Sequence, residues 1–418
     1  MSLIFSRLCS FSNLLSLSFF LFGIFPILPE KLKGLPVVVL TILSIASFFF
    51  VNKENQQKIN YKVLIGLTSL FTILFFSIFY TLSFNLPKNK IETTLSLLFV
   101  PLAFVLIGSN RIKRKDSIKF FITFIISTLL LTIYSLFRYY ESNLFILGNL
   151  KVNSFRNLVT QMPFINDHPI YISIYLGLSV ILTVQLVLNK NISIKIKAIL
   201  LMACFLNCGH LLLLSSKGII TALLFSLIIL FYFQIKLLKI KVLIIISIII
   251  VFIFSVFFIT TTERRFREFF KKTTYTELRI NNSSSIRVAI YKCVLSVIKE
   301  NPIRGYGWGV GTKKLNECYK EKSDYLYNKK YNSHNQYLGY YIDGGLLATG
   351  VLFLFLFNQF KRAVSIKNHY YFSILVFFSI IMLFENILER QSGLIIFIFI
   401  ICFFTFKKVM DNKTAVIN

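Results

Sequence analysis

The sequence predicts an all-α polytopic membrane protein of about twelve transmembrane helices with one large, partly helical loop on the outer side. Three observations lead there. Apolar residues make up 56% of the chain and charged residues 15%, against about 25% charged in a soluble domain. The apolar residues come in long, nearly charge-free blocks, enough to cross a hydrocarbon core of about 30 Å at about 1.5 Å per helical residue. Lys and Arg gather in alternate connections, which orients the blocks.

The blocks run near 9–28, 35–51, 62–84, 91–108, 118–138, 169–188, 197–214, 218–235, 240–260, 336–358, 369–386 and 391–407. Only Arg7 precedes the first as a charged residue, and no small-residue cleavage site follows it in "FPILPEK". It therefore reads as a retained helix rather than a signal peptide. The densest basic connection is "RIKRKDSIK" at 111–119, which, with the other basic loops and the tail, places both termini in the cytoplasm. That placement accounts for most of the net charge of +29 and argues against nucleic acid as a partner. The chain then divides into helices 1–9 over residues 1–260, an outer loop over 261–335, and helices 10–12 with a cytoplasmic tail over 336–418.

The outer loop reads as folded. In "SSSIRVAIYKCVLSVIKENP", Ser residues are placed to cap a helix, and Ile286, Ile290, Cys293, Val294, Val297 and Ile298 fall at helical spacing. Asn301-Pro302 ends that helix. "GYGWG" follows around Trp308, the only tryptophan. It is either a glycine-rich turn packing an aromatic or a substrate-lining loop; no strand precedes it to make it a dinucleotide fingerprint. The loop holds sixteen Lys and Arg against seven Asp and Glu, which topology does not explain. Arg287, early on the amphipathic helix, is suited to a phosphate through paired guanidinium hydrogen bonds; a solvated face or anionic headgroups are the plainer explanations. Arg264, Arg265 and Arg304 are further cations of the loop, and the sequence leaves open whether they touch substrate.

Other polar groups arrive at the same side. "NDHPIYIS" brings His168 to the outer start of span 6, and "LLLLSSKGII" presents Ser215, Ser216 and Lys217. "ENILERQSG" carries Glu385, Glu389 and Arg390, while His334 and Asn335 open span 10. Convergence from five spans points to an active site. Each member also has a duller reading: His168 beside Pro169 as a helix cap, Lys217 as a snorkelling lysine. His210 in "NCGHLL" reads as a packing residue, His369 has no assigned role, and Cys204 with Cys208 makes no convincing metal site. Asp343 is costly in a bilayer and should face protein or a polar cavity. Cys293 and Cys318 fall in the outer loop, where two thiols can oxidise, although spacing alone does not show that they meet.

The helix bearing Arg287, then "NPIRGYGWGVGT", then "NSHNQYLGYYIDGGLLATG" entering a span, resembles the O-antigen ligase and O-antigen polymerase family of bacterial envelopes. The resemblance implies a glycosyltransferase of the inner membrane. It would move a glycan from undecaprenyl diphosphate to an acceptor hydroxyl at the periplasmic face, with inversion and with no metal or cofactor. Lipid A–core is the acceptor in a ligase, a second lipid-linked repeat in a polymerase, and a protein Ser or Thr in related enzymes. By motif, His334 corresponds to the family's loop histidine and Arg287 to its loop arginine. Lys217 stands where the family has an arginine, a departure that replaces a fork by a point charge. His168, Asn335 and Arg390 complete the expected substrate-binding set.

The chemistry is compatible with these residues. A sugar diphosphate already carries a good leaving group, so a base near the acceptor hydroxyl and positive charge at the departing diphosphate suffice. A transporter of lipid-linked sugars is the main non-enzymatic rival, but it would place ionisable residues near the bilayer midplane, where these spans have almost none. An envelope scaffold would not require histidine and cations to converge.

Overall fold

The computed structural model describes residues 11–50, 59–79, 87–108, 114–142, 152–189, 191–258, 270–280 and 282–406, with residues 112 and 267. Among them the regular structure is helical. In chain order, α1 is Phe11–Gly23, α2 Leu35–Phe50, α3 Tyr61–Ser77, α4 Lys88–Thr94, α5 Ser96–Ile107 and α6 Arg114–Glu141. Next come α7 Val152–Thr160, α8 Pro169–Val187, α9 Ile194–Leu214, α10 Lys217–Gln234 and α11 Leu238–Phe258. The outer loop supplies α12 Thr273–Thr276, α13 Ser283–Glu300, α14 Gly311–Lys322 and α15 Asp324–Lys329. The chain closes with α16 Gln336–Ser365, α17 His369–Ile381 and α18 Gln391–Phe406.

Among the described residues, 7 helical segments are long and apolar enough to cross a membrane, the longest being Gln336–Ser365. That is fewer than the twelve expected from apolar blocks. The difference has a visible cause at α17 and α18. The 369–386 block stops being helical at Ile381, leaving a helix of 13 residues, and α18, described over Gln391–Phe406 as its block predicts, has 16. A full crossing needs about 20.

The helices sort by the side chains they carry. In α18 every residue from Ser392 to Phe406 is buried, and α8 is buried along most of its length. A helix apolar all round belongs at the centre of a bundle. Phe399 of α18 stacks on Phe22 of α1 at 3.8 Å between ring centroids and meets Phe120 of α6 at 5.0 Å. Around this centre α10 packs on α17, α9 on α8, α16 on α3, and α2 on α5. Phe49, Phe205, Leu243 and Phe357 remain exposed on the outside, the face a bilayer would cover.

The loop helices have their own core. Ile290, Cys293, Val294 and Val297 of α13 close on Leu315 and Tyr319 of α14 and on Leu326 of α15. Cys293 and Cys318 are joined in a disulfide, their Cα atoms 5.8 Å apart. The glycine-rich turn settles against α16. Tyr306 N–H donates to the Ile342 carbonyl at 2.8 Å and Leu346 N–H to the Ile303 carbonyl at 3.0 Å. This approach needs Gly345, which sits at φ 64° and would drive a Cβ into the Ile303 backbone. Trp308 is buried edge-on against Phe71. "GYGWG" is thus a packing turn.

Candidate active site

The main cleft, about 490 Å³, opens where the N-termini of α8, α10 and α16 meet the C-termini of α9 and α17, beneath the start of α13. His168, Lys217, Arg287 and His334 all line it. Residues from segments more than a hundred positions apart therefore share one solvent space. Asn335 is not a wall residue. Its side chain caps α16 by accepting from Leu338 N–H at 3.1 Å and donates to the Leu383 carbonyl at 3.1 Å. Arg390 is exposed outside the cleft lining, and its charge reaches His168 only electrostatically. Arg304 is exposed on the glycine-rich turn, and Arg264 and Arg265 lie outside the described residues.

His334 has φ 46°, the left-handed region, where a side-chain-bearing residue is held only if its surroundings over-determine the backbone. They do. Its N–H donates to Asn332 Oδ1 at 3.1 Å, and its carbonyl accepts from the Tyr291 hydroxyl at 3.2 Å. The next N–H but one, from Gln336, donates to the Met382 carbonyl at 2.8 Å. Ser215 is likewise left-handed, at φ 47°, in the turn that presents Lys217.

The imidazole is gripped by a residue not assigned from sequence. His334 Nδ1 lies 3.1 Å from Glu385 Oε2, while Glu385 Oε1 pairs with Arg287 Nη2. Burial pushes the Glu385 carboxyl up, but Arg287 and then His334 outweigh it, so the net shift is below the usual carboxylate range. An ionised carboxylate only accepts, so Nδ1 carries a proton and, in the neutral ring, Nε2 carries the lone pair. Glu389, four residues on, ties the same segment by accepting from Asn332 at 3.0 Å and Asn386 at 2.8 Å.

The opposite wall is cationic. Lys217 Nζ donates to Ser284 Oγ at 3.1 Å, linking the α9–α10 turn to the first turn of α13. Arg156 of α7, also unassigned from sequence, lines the cleft and donates to the Leu214 carbonyl at 2.5 Å. A lone Arg among Asn, Ser and Leu in "VNSFRNLVT" gives no motif to notice. His168 caps α8, its Nδ1 accepting from Ile170 N–H. Burial, and then Arg156, lower its pKa to about 4, so it meets the cleft neutral, with its proton on Nε2. Behind it, Asp167 is buried in a pair with Lys33 and accepts from the Tyr175 hydroxyl at 3.1 Å and Ser392 at 3.0 Å.

His210, His369 and Asp343, also singled out from the sequence, each have a structural contact. His210 is buried with its Nδ1 3.0 Å from Thr132 Oγ1. His369 stacks on Phe233. Asp343 faces Lys90 at 3.7 Å, inside the protein. Among the described residues no group of three or more His, Cys, Asp or Glu is placed to hold a metal ion.

With this geometry in hand, residues 198–353 match the family model described as O-antigen ligase. The matched stretch includes Lys217, Arg287 and His334 and stops short of Glu385. No curated protein matches the chain.

Proposed function

We propose that this chain, whose residues 198–353 match the family model described as O-antigen ligase, transfers a glycan from undecaprenyl diphosphate to a sugar hydroxyl of lipid A–core. The single observation behind this reading is the Arg287–Glu385–His334 chain facing Lys217 across one cleft. In the reaction, His334 Nε2 takes the proton of the acceptor hydroxyl. The hydroxyl oxygen attacks the anomeric carbon from the face opposite the diphosphate. The bond from that carbon to the phosphate oxygen breaks, its electron pair leaves with undecaprenyl diphosphate, and the configuration inverts. Glu385 holds the imidazole and balances the positive charge it acquires. Arg287 and Lys217 meet charge growing on the leaving group, and neutral His168 offers a hydrogen-bond donor. This assignment needs neither a metal nor a covalent enzyme intermediate.

The same reading places the protein in the bacterial inner membrane, with both termini cytoplasmic and the 261–335 loop in the periplasm. The Cys293–Cys318 disulfide supports that side, since disulfides persist in oxidising compartments. Extension of a second lipid-linked repeat, as in a polymerase, or transfer to a protein hydroxyl uses the same base and leaving group. The test is reconstitution in vesicles with lipid-linked glycan and lipid A–core added separately. Transfer that requires lipid A–core supports the ligase; chain lengthening without it assigns a polymerase. Movement of lipid-linked glycan across the vesicle with no transfer would overturn the enzyme reading in favour of transport.

A further inference from the structure

The cleft has a third wall, made by tyrosines of the 261–335 loop. Tyr275 of α12 and Tyr331 line it, and Tyr291 of α13 stands beside them with its hydroxyl on the His334 carbonyl. Tyr331 matters most because of its place. It lies three residues before His334, half-buried, with its ring centroid 5.6 Å from the imidazole. Its hydroxyl pairs with that of Tyr325 at 3.3 Å.

We propose that Tyr331 is the platform on which the pyranose ring of the acceptor lies while its hydroxyl meets His334. This rests on the glycosyl-transfer reading and adds a sugar-binding subsite to it. A hydroxyl that gives its proton to the imidazole sits within hydrogen-bond distance of it. The rigid ring bearing that hydroxyl then occupies the space immediately around the imidazole, and Tyr331 is the aromatic wall of that space. A pyranose presents C–H groups on its faces and hydroxyls around its rim. The electron-rich face of a tyrosine complements the former, and its polar tip tolerates the latter. A tyrosine also has few rotatable bonds to immobilise on binding. Of the cations of the same cleft, Arg156 comes from α7 and Lys217 from α10, while Arg287 shares α13 with Tyr291. Arg156 and Lys217 thereby present positive charge from elements that do not carry Tyr331, and Arg287 stands between them and His334, to which Glu385 ties it.

The experiment uses the full chain in vesicles or detergent and two readouts. The first is binding of deacylated lipid A–core oligosaccharide, followed by saturation-transfer NMR. The second is acceptor KM and donor KM in the transfer assay. Tyr331→Leu should weaken oligosaccharide binding and raise acceptor KM about 3- to 10-fold, equivalent to about 0.7–1.4 kcal/mol, with donor KM unchanged. Tyr331→Phe keeps the ring and should bind like the wild type; weakened binding there would assign the hydroxyl instead and overturn the platform. Because Tyr331→Phe retains the side-chain volume, the comparison stands even if the leucine variant folds poorly. Wild-type protein that binds no oligosaccharide, or a leucine variant that binds it equally well, also overturns the proposal. Binding without transfer would leave the platform standing and count against the reaction assigned above.

Discussion

Glu385 Oε2 lies 3.1 Å from His334 Nδ1, and the other oxygen of the same carboxylate holds Arg287. One side chain therefore fixes the tautomer of the histidine and the position of the arginine. Glu385→Gln keeps the shape but removes the charge. An amide can present its NH2 to Nδ1 as readily as its oxygen, which moves the ring proton to Nε2, the wrong tautomer for a base. The expected loss is about 10²-fold in kcat, in the range for a disabled general base, with donor KM less affected. An unchanged kcat would remove Glu385 from the mechanism.

His168 gives a pH signature. Its folded pKa is lowered to about 4 from an unfolded value near ~6.5. The unfolded chain binds the proton more readily in that interval, so this contribution to stability is complete above the unfolded value. It is lost progressively as pH falls toward the folded value. Thermal unfolding of the wild type should move to lower temperature between about pH 6.5 and pH 4. His168→Gln should show a shallower slope over the same interval, and equal slopes would contradict the environment described for His168.

The buried Lys33–Asp167 pair sets the loop that carries His168. Removing one partner leaves an uncompensated buried charge, so Lys33→Met or Asp167→Asn should each destabilise by about 3–5 kcal/mol. The double variant should recover part of the loss. Additive losses in a double-mutant cycle would mean that the two groups are not coupled.

Gly345 of α16 is where the glycine-rich turn docks on the bundle. Gly345→Ala meets both a left-handed φ of 64° and the Ile303 backbone. The backbone conformation alone costs about 1–3 kcal/mol, and the steric conflict adds to it. The measurement is unfolding stability, with Gly350→Ala, which has open space around it, as the comparison. Similar stability in the two variants would refute the docking geometry.

His334 was legible in the sequence because a histidine flanked by Ser and Asn at the start of an apolar helix has little packing reason to be there. Arg287 and Lys217 were legible through their place at helix starts and through the family resemblance. Glu385 was visible as one of several charges at a helix end. Its pairing with His334 was not, because the two are 51 residues apart and meet only after α17 stops and the chain turns back. Arg156 gave no signal, since its role depends on α7 folding over the turn at Leu214. The glycine-rich turn left two readings open, and the kink at Gly345 decided between them. Apolar blocks located most helices closely, but the 369–386 block ran past the end of its helix at Ile381, because block length does not register the turn between Ile381 and Gln391.

The account stands most directly on His334 as the base. The decisive measurement is the initial rate of glycan transfer to lipid A–core in EDTA-treated vesicles, wild type against His334→Ala, with donor binding measured in parallel. A fall of about 10²-fold or more, the usual contribution of a general base, with donor still bound, is the predicted result. Transfer by His334→Ala at the wild-type rate would contradict it.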